Sequence, residues 1–333
     1  LYLTMEEFLS AALAVDASLR DDPARDLEGR LLQVKGEALL QLGDTEGALL
    51  AMNAALDASL DVAVIQRAHY HMALVYREIG QRELELKSLQ EAAYGPDSNL
   101  APSSILNRGD MLIQAGDLET GAEALQHLVD DYPNHPEVAE ALQVLARTRE
   151  ALEDTSAANV IWDRLWMVMK AGDCTTATMA SSSMAGLLRA ADAAAAVHED
   201  ERALWRLACL RRLGSGADSL EAIYRIGRIY GARGEHMRAA QFYMEVVEAE
   251  PRGELNWRAR LALGAELFNA GKYEEALIYL RDGNESVWEP YRNLALGRVH
   301  YRLRQSDEAN VALAVAAQAP DAAVASDASY LYA

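Results

Sequence analysis

The chain has 333 residues, 51% of them hydrophobic and 25% charged, with a formal net charge of −20. That is apolar material for two globular domains or one elongated one, and its acidity argues against nucleic acid or an anionic membrane surface as a general partner. No apolar run approaches the roughly 20 residues needed to span a bilayer, so direct membrane insertion is not expected.

Ala is abundant and there are only three Phe, which favours close-packed helices, because Ala has the best helix propensity and lets backbones approach. Residues 5–20 predict a helix, and 1–27 read as the end of a preceding repeat. A frame then starts at Gly36, seven residues before Gly43, with Ala48, Met52 and Ala55 behind it. It recurs at Ala73, Tyr76, Gly80, Leu89 and Ala92, and at Gly109, Leu112, Gly116, Gly121, Leu125, Leu128 and Pro133. A weaker unit, Ala146, Ala158, Trp162 and Leu165, has Glu153 where the turn glycine is expected, and closes a first block of about four repeats over 28–170.

The stretch 171–217 breaks phase. It reads as a degenerate repeat or as a joint between two blocks, with helices predicted over 175–196 and 199–213. Its cysteines, Cys174 and Cys209, are the chain's only two. They lack metal or redox spacing and are expected as buried free thiols, a bridge being the alternative in an oxidising compartment. Three repeats follow over 218–320: Gly227, Tyr230, Gly234, Ala239, Tyr243, Val246 and Pro251; then Gly264, Leu267, Gly271, Ala276 and Leu280; then Gly297, His300, Ala309, Leu313 and Ala316. Residues 321–333 read as the start of a further helix. With both ends inside helical patterns, the chain reads as processed or as a piece of a longer one.

Each position has a physical reason. The small residues sit where helix A crosses helix B, and a larger side chain there would force the helices apart. Gly43, Gly80, Gly116, Gly234 and Gly271 end helix A, where a left-handed residue is needed. Asp44 and Asp117 are placed to cap helix B, and Pro133, Pro251 and Pro320 to end it. No single hairpin buries its apolar face alone, so stability comes from stacking neighbours.

This frame resembles the tetratricopeptide repeat (TPR) over about 28–165 and 218–320. The resemblance implies an all-α, right-handed superhelical solenoid of antiparallel helix pairs, and a non-catalytic scaffold that holds partner proteins. The joint Asp131-Tyr132-Pro133-Asn134-His135-Pro136-Glu137 looks like those of bacterial cell-envelope assembly TPR proteins. Arg outnumbers Lys, which associates with a GC-rich bacterial genome; periplasm or envelope is the expected compartment.

The residues supply no catalytic site. His198-Glu199 lacks a second His four residues on, His69 and His71 point to different faces of a predicted helix, and His127 and His135 have no identifiable co-ligands. Gly214-Ser215-Gly216 has neither a preceding strand nor a following Lys-Ser/Thr. The Asn284-Glu285-Ser286 sequon carries no weight in a bacterial chain. Trp162 is expected in the core, with Trp166, Trp205, Trp257 and Trp288 near helix ends, their N–H groups wet. No enzyme activity, cofactor or metal is expected.

In the TPR fold, helix A of each repeat lines the concave face. Carried over by position, the first half presents Gln33, Glu37, Gln41, Tyr70, Arg77 and Asp110, and residues 1–170 hold −16 of the net charge. The chaperone-type carboxylate clamp would need Lys and Asn at Gln33 and Glu37, Tyr70 and Leu74, and Leu106 and Asp110, so it is not expected. The second half presents Tyr224, Arg228, Arg258, Phe268, Tyr291, Arg298, Tyr301 and Arg302, and Tyr and Arg dominate binding hot spots. These eight are the candidate partner-binding residues, for an acidic or aromatic protein segment. The opposing expectation is that the arginines pair with Glu221, Glu254 and Glu289. Self-association through terminal repeats, or service as an accessory module of a longer enzyme or membrane protein, are the other readings.

Overall fold

The structure, a computed structural model, describes residues 2–21, 23–169, 181–250, 252–281 and 288–332. Cys174, Thr175, Thr176, Thr178, Pro251 and the Asn284-Glu285-Ser286 sequon lie outside them. The described residues form eighteen α-helices and no strand. They fall into two units, Leu1–Val168 and Met169–Ala333.

Unit 1 opens with α1 (Tyr2–Leu19) and continues as four helical hairpins. These are α2 (Arg25–Gln41) with α3 (Thr45–Ala58), α4 (Val62–Glu78) with α5 (Arg82–Ala92), α6 (Leu100–Gln114) with α7 (Leu118–Asp131), and α8 (Val138–Ala151) with α9 (Thr155–Val168). Unit 2 holds four more: α10 (Ser181–Ala196) with α11 (Asp200–Leu213), α12 (Ala217–Ala232) with α13 (His236–Ala249), α14 (Glu254–Asn269) with α15 (Tyr273–Arg281), and α16 (Glu289–Arg302) with α17 (Ser306–Ala316). It ends on α18 (Ala322–Tyr332). Within each unit every helix packs on the next, and the first helix of a hairpin (A) also packs on the first helix of its neighbour. Each unit is thus a stack of antiparallel pairs, the solenoid arrangement.

One turn builds all eight hairpins. Its residue has positive φ, and its N–H donates to the carbonyl three residues back. The following N–H donates to the carbonyl five back, as in Gly43 to Leu40 and Asp44 to Leu39. Glycine fills it at Gly43, Gly80, Gly116, Gly234 and Gly271, with φ between 74° and 90°. Glu153, His198 and Arg304 fill it at 61°, 62° and 60°, where a side chain costs roughly 1 kcal/mol.

Counted from that turn, the residue seven before is always Gly or Ala, and the residue nine after is large. The two meet. A Cβ on Gly36 would stand 2.7 Å from Met52 Cγ, one on Gly227 2.8 Å from Tyr243 Cε1, and one on Gly297 2.5 Å from Leu313 Cδ2. The large partners Met52, Leu89, Leu125, Trp162 and Leu207 are fully buried, each worth about 1.5–3 kcal/mol of burial. Asp44 and Asp117 accept from Gly47 and Thr120 N–H at 2.9 and 3.3 Å, and Asp154 caps α9 the same way through Ala157 at 3.1 Å.

A second regularity ties neighbouring hairpins. At four of the eight hairpins the residue thirteen before the turn donates to an acid at the start of the next helix: Arg30 to Asp61 at 3.0 Å, Arg67 to Asp97 at 3.3 Å, Ser103 to Glu137 at 2.6 Å, and Tyr291 to Asp321 at 2.8 Å. Backbone N–H groups, Ala63 for Asp61 and Asn99 for Asp97, hold these carboxyls below the usual carboxylate range, with the arginines adding to it. The Tyr291 hydroxyl does so for Asp321.

The stretch 171–217 contains a hairpin with the common turn, at His198, and with the small crossing residue at the buried Ala191. A longer interval sets it off: 45 positions separate Glu153 from His198, against 36 or 37 between the preceding turns. Two expectations are corrected. Cys209 is disulfide-bonded, not a free thiol. Trp166 is fully buried, and the Trp257 indole nitrogen lies out of solvent, so neither keeps a wet N–H; Trp205 is exposed.

Candidate functional site

The eight candidate residues all lie in unit 2, and the structure sorts them into two groups and one outlier. In the first group the Tyr224 ring packs 5.3 Å from that of Tyr243, and the Arg258 guanidinium stacks 4.6 Å above Tyr224. Glu221 holds Arg258 at 3.4 Å and Arg225 at 2.9 Å, and Arg225 reaches Asp192 at 2.6 Å. A chain of alternating charge therefore crosses α10, α12 and α14. Burial pushes the Asp192 carboxyl up against the opposing pull of Arg225, and burial likewise raises the Tyr243 phenol. Arg228 stands exposed on the same helix as Tyr224.

In the second group Phe268, Arg298, Tyr301 and Arg302 line one cavity of about 440 Å³ with Asp327, Tyr330 and Leu331 of α18. Arg298 pairs with Asp327 at 2.8 Å, and Arg302 lies 5.9 Å over the Phe268 ring, which leans on Tyr273 at 5.4 Å. Tyr301 is 61% exposed and Tyr330 84% exposed, so this cavity has two bare aromatic rims. Tyr291 stands apart from both groups. Its hydroxyl makes the joint to Asp321, its ring meets Trp288 at 5.7 Å, and it packs against the buried Leu294, Leu313 and Val324.

Of the pairings that would occupy the arginines, Glu221 with Arg258 forms, and Glu289 holds Arg292 at 3.9 Å. The acid on Arg298 is Asp327, which sequence reading had not paired with it. Asp327, Tyr330 and Leu331 were missed because 321–333 read only as the start of a helix. The signal was there: Asp327 follows Arg298 by 29 residues, close to the 30 that separate Tyr291 from Asp321.

In unit 1, Gln33 is buried and donates to Glu37 at 3.1 Å, with His71 Nε2 3.8 Å away. Burial holds both His69 and His71 below the ordinary imidazole value. Among the described residues no group of three His, Cys, Asp or Glu side chains could hold a metal ion, and no helix is long and apolar enough to cross a membrane.

Two hairpins match models of the tetratricopeptide repeat: residues 103–135, which span α6 and α7, and 220–252, which span α12 and α13. These two hairpins match the tetratricopeptide repeat in sequence. TPRs generally mediate protein–protein interaction, and TPR proteins are typically non-catalytic. No curated protein matches the chain in sequence. Among solved structures it is similar to the MamA protein at 19% identity, over 61% of this chain and 94% of that one, with a TM-score of 0.45. It is similar to Pseudomonas aeruginosa pilF at 16%, over 71% and 98%, TM-score 0.44. A tetratricopeptide repeat protein from Parabacteroides merdae aligns at 13%, over 92% and 100%, TM-score 0.38.

Proposed function

We propose that this chain is a non-catalytic TPR scaffold that grips a segment of a partner protein on the A-helix face of unit 2. The observation that carries the reading is the cavity in which Phe268, Arg298, Tyr301 and Arg302 converge with the exposed Tyr330. Its lining combines stacked aromatics with guanidinium groups, the residue types that anchor interfaces. Arg298 is already paired with Asp327, whereas Arg302 lies over the Phe268 ring. An acidic or aromatic side chain is the natural occupant, the first for Arg302 and the second for the rims of Tyr301 and Tyr330. Tyr224 and Arg258 form a separate packed pair on the A helices α12 and α14, and Arg228 is a further exposed cation on α12.

The envelope of a bacterium is the compartment we assign. The disulfide at Cys209 suits an oxidising space and would not persist among cytosolic thiols. A self-associating structural subunit is the second reading. It draws on Leu9 and Leu13, one turn apart on α1 and 52% and 60% exposed. Light scattering separates the two, since self-association raises the mass with concentration.

The test is isolation of the protein from its own cells with its cross-linked partners, beside a variant carrying Arg228→Ala, Arg298→Ala, Tyr301→Ala and Arg302→Ala. These four sit on the surface, so helicity should survive. Loss of a dominant partner with circular dichroism unchanged supports the reading, and retention of every partner refutes it.

A further inference from the structure

The second hairpin breaks the repeat frame at one position. Five residues after the turn, seven of the eight hairpins carry Ala or Gly; the second carries Glu85, which is buried. Its carboxylate accepts from Arg77 Nε at 2.6 Å, and Arg77 Nη2 donates to Asn107 Oδ1 of the next A helix at 3.0 Å. Beside this relay, between the α4–α5 turn and α6, lies a cavity of about 550 Å³. Arg77 is held by these two contacts and its charge is balanced by Glu85. Leu86 and Met111 give the cavity an apolar wall. Glu83 and Asp110 bring two carboxylates against the single guanidinium of Arg82.

Six residues before the turn, the hairpins of unit 1 read Glu37, Leu74, Asp110 and Arg147, and those of unit 2 read Asp192, Arg228, Ala265 and Arg298. The first three hairpins, which include the two that form the cavity, are thus acidic or apolar at this position, and Arg147 lies outside the cavity lining. Exposed Glu78 adds a further acid on α4, and residues 1–170 carry −16.

We propose that the unit 1 cavity is a second recognition site, one that receives a lysine or arginine side chain of a protein segment lying on this face. An aliphatic stem covers Leu86 and Met111 while the cationic head reaches Asp110 and Glu83, the usual way a long basic side chain divides its apolar and charged parts. A basic segment at this cavity and an acidic or aromatic one at the unit 2 cavity are then told apart by charge. This site is independent of the unit 2 reading and stands or falls separately.

The experiment uses the full chain and three fluorescein-labelled eleven-residue peptides of alternating Leu and Lys, Leu and Glu, or Leu and Gln, followed by polarisation at physiological salt. The lysine peptide binds tightest to unaltered protein. Glu83→Gln with Asp110→Asn weakens it by tenfold or more, and Arg298→Ala with Arg302→Ala leaves it unchanged. A second readout excludes diffuse attraction to an acidic chain: the Met111 methyl resonance shifts when the lysine peptide is added. Equal affinity of the Glu83→Gln, Asp110→Asn protein for that peptide, or an unmoved Met111 methyl, overturns the proposal.

Discussion

Arg77 Nε donates to the Glu85 carboxylate at 2.6 Å in the one hairpin of eight that lacks a small residue at that crossing. The pair is asymmetric: the Glu85 side chain is 6% exposed and that of Arg77 46%. Arg77→Met leaves a buried carboxylate without its cation and costs about 2–3 kcal/mol. Glu85→Ala frees an arginine that water can solvate and costs about 1 kcal/mol. The double variant falls well short of the sum, because the removed groups depend on each other. Urea titration of all three proteins checks the ranking.

The left-handed turns predict gains as well as losses. Glu153→Gly, His198→Gly and Arg304→Gly each remove a Cβ from a positive-φ site and stabilise by about 0.5–1 kcal/mol. Gly116→Ala, at φ 90°, destabilises by about 1 kcal/mol. Melting temperatures displaced in opposite directions would show this.

At Gly297 the helices approach so closely that a Cβ would stand 2.5 Å from Leu313 Cδ2. Gly297→Val overpacks that crossing by about 2–3 kcal/mol. Adding Leu313→Ala relieves the clash and recovers part of the loss, which thermal unfolding of unit 2 would detect.

Acid should loosen unit 1 in two stages. His69 and His71 have folded values below 6.5, both chiefly through burial, so the unfolded chain takes up the proton first. Their contribution is complete above pH 6.5 and is lost as pH falls through the folded values. Asp61 and Asp97 lie below 3.8, so their joints fail only at still lower pH. Asp192 in unit 2 runs the other way: raised by burial, it favours folding below 3.8 and loses that contribution as pH rises through its folded value. His69→Gln with His71→Gln should flatten the stability profile of unit 1 just below pH 6.5 while leaving the strongly acid limb in place. Hydrogen exchange of α4 between pH 7 and 3 measures it.

The repeat was legible because its constraints are local. A turn glycine, a small residue seven positions earlier and a capping aspartate each answer to one steric or hydrogen-bonding need, and those needs recur at a fixed interval. Where the local signal changes, reading fails. His198 occupies a left-handed turn that glycine usually marks, and a longer interval before it shifts the phase, so α10 and α11 read as a degenerate repeat or a joint. The partner-face residues were legible as types on an A helix, but which of them converge depends on neighbours about thirty residues away. Phe268, Arg298, Tyr301 and Arg302 share a cavity only because α18 brings Asp327 and Tyr330 to them, while Tyr291, on the same helix as three of those, is drawn into the joint with Asp321. Glu85 was invisible as a departure until the frame of all eight hairpins was in view.

The unit 2 face is most directly tested by placing a photo-cross-linking p-benzoylphenylalanine at Tyr301, in the cavity rim, and separately at Ile278, which is 64% exposed on the B helix α15. Irradiated in its own cells, the protein labelled at position 301 should capture one dominant partner protein, and the protein labelled at 278 should not. Capture at 278 alone, or the same products from both positions, would contradict a binding face built on the A helices.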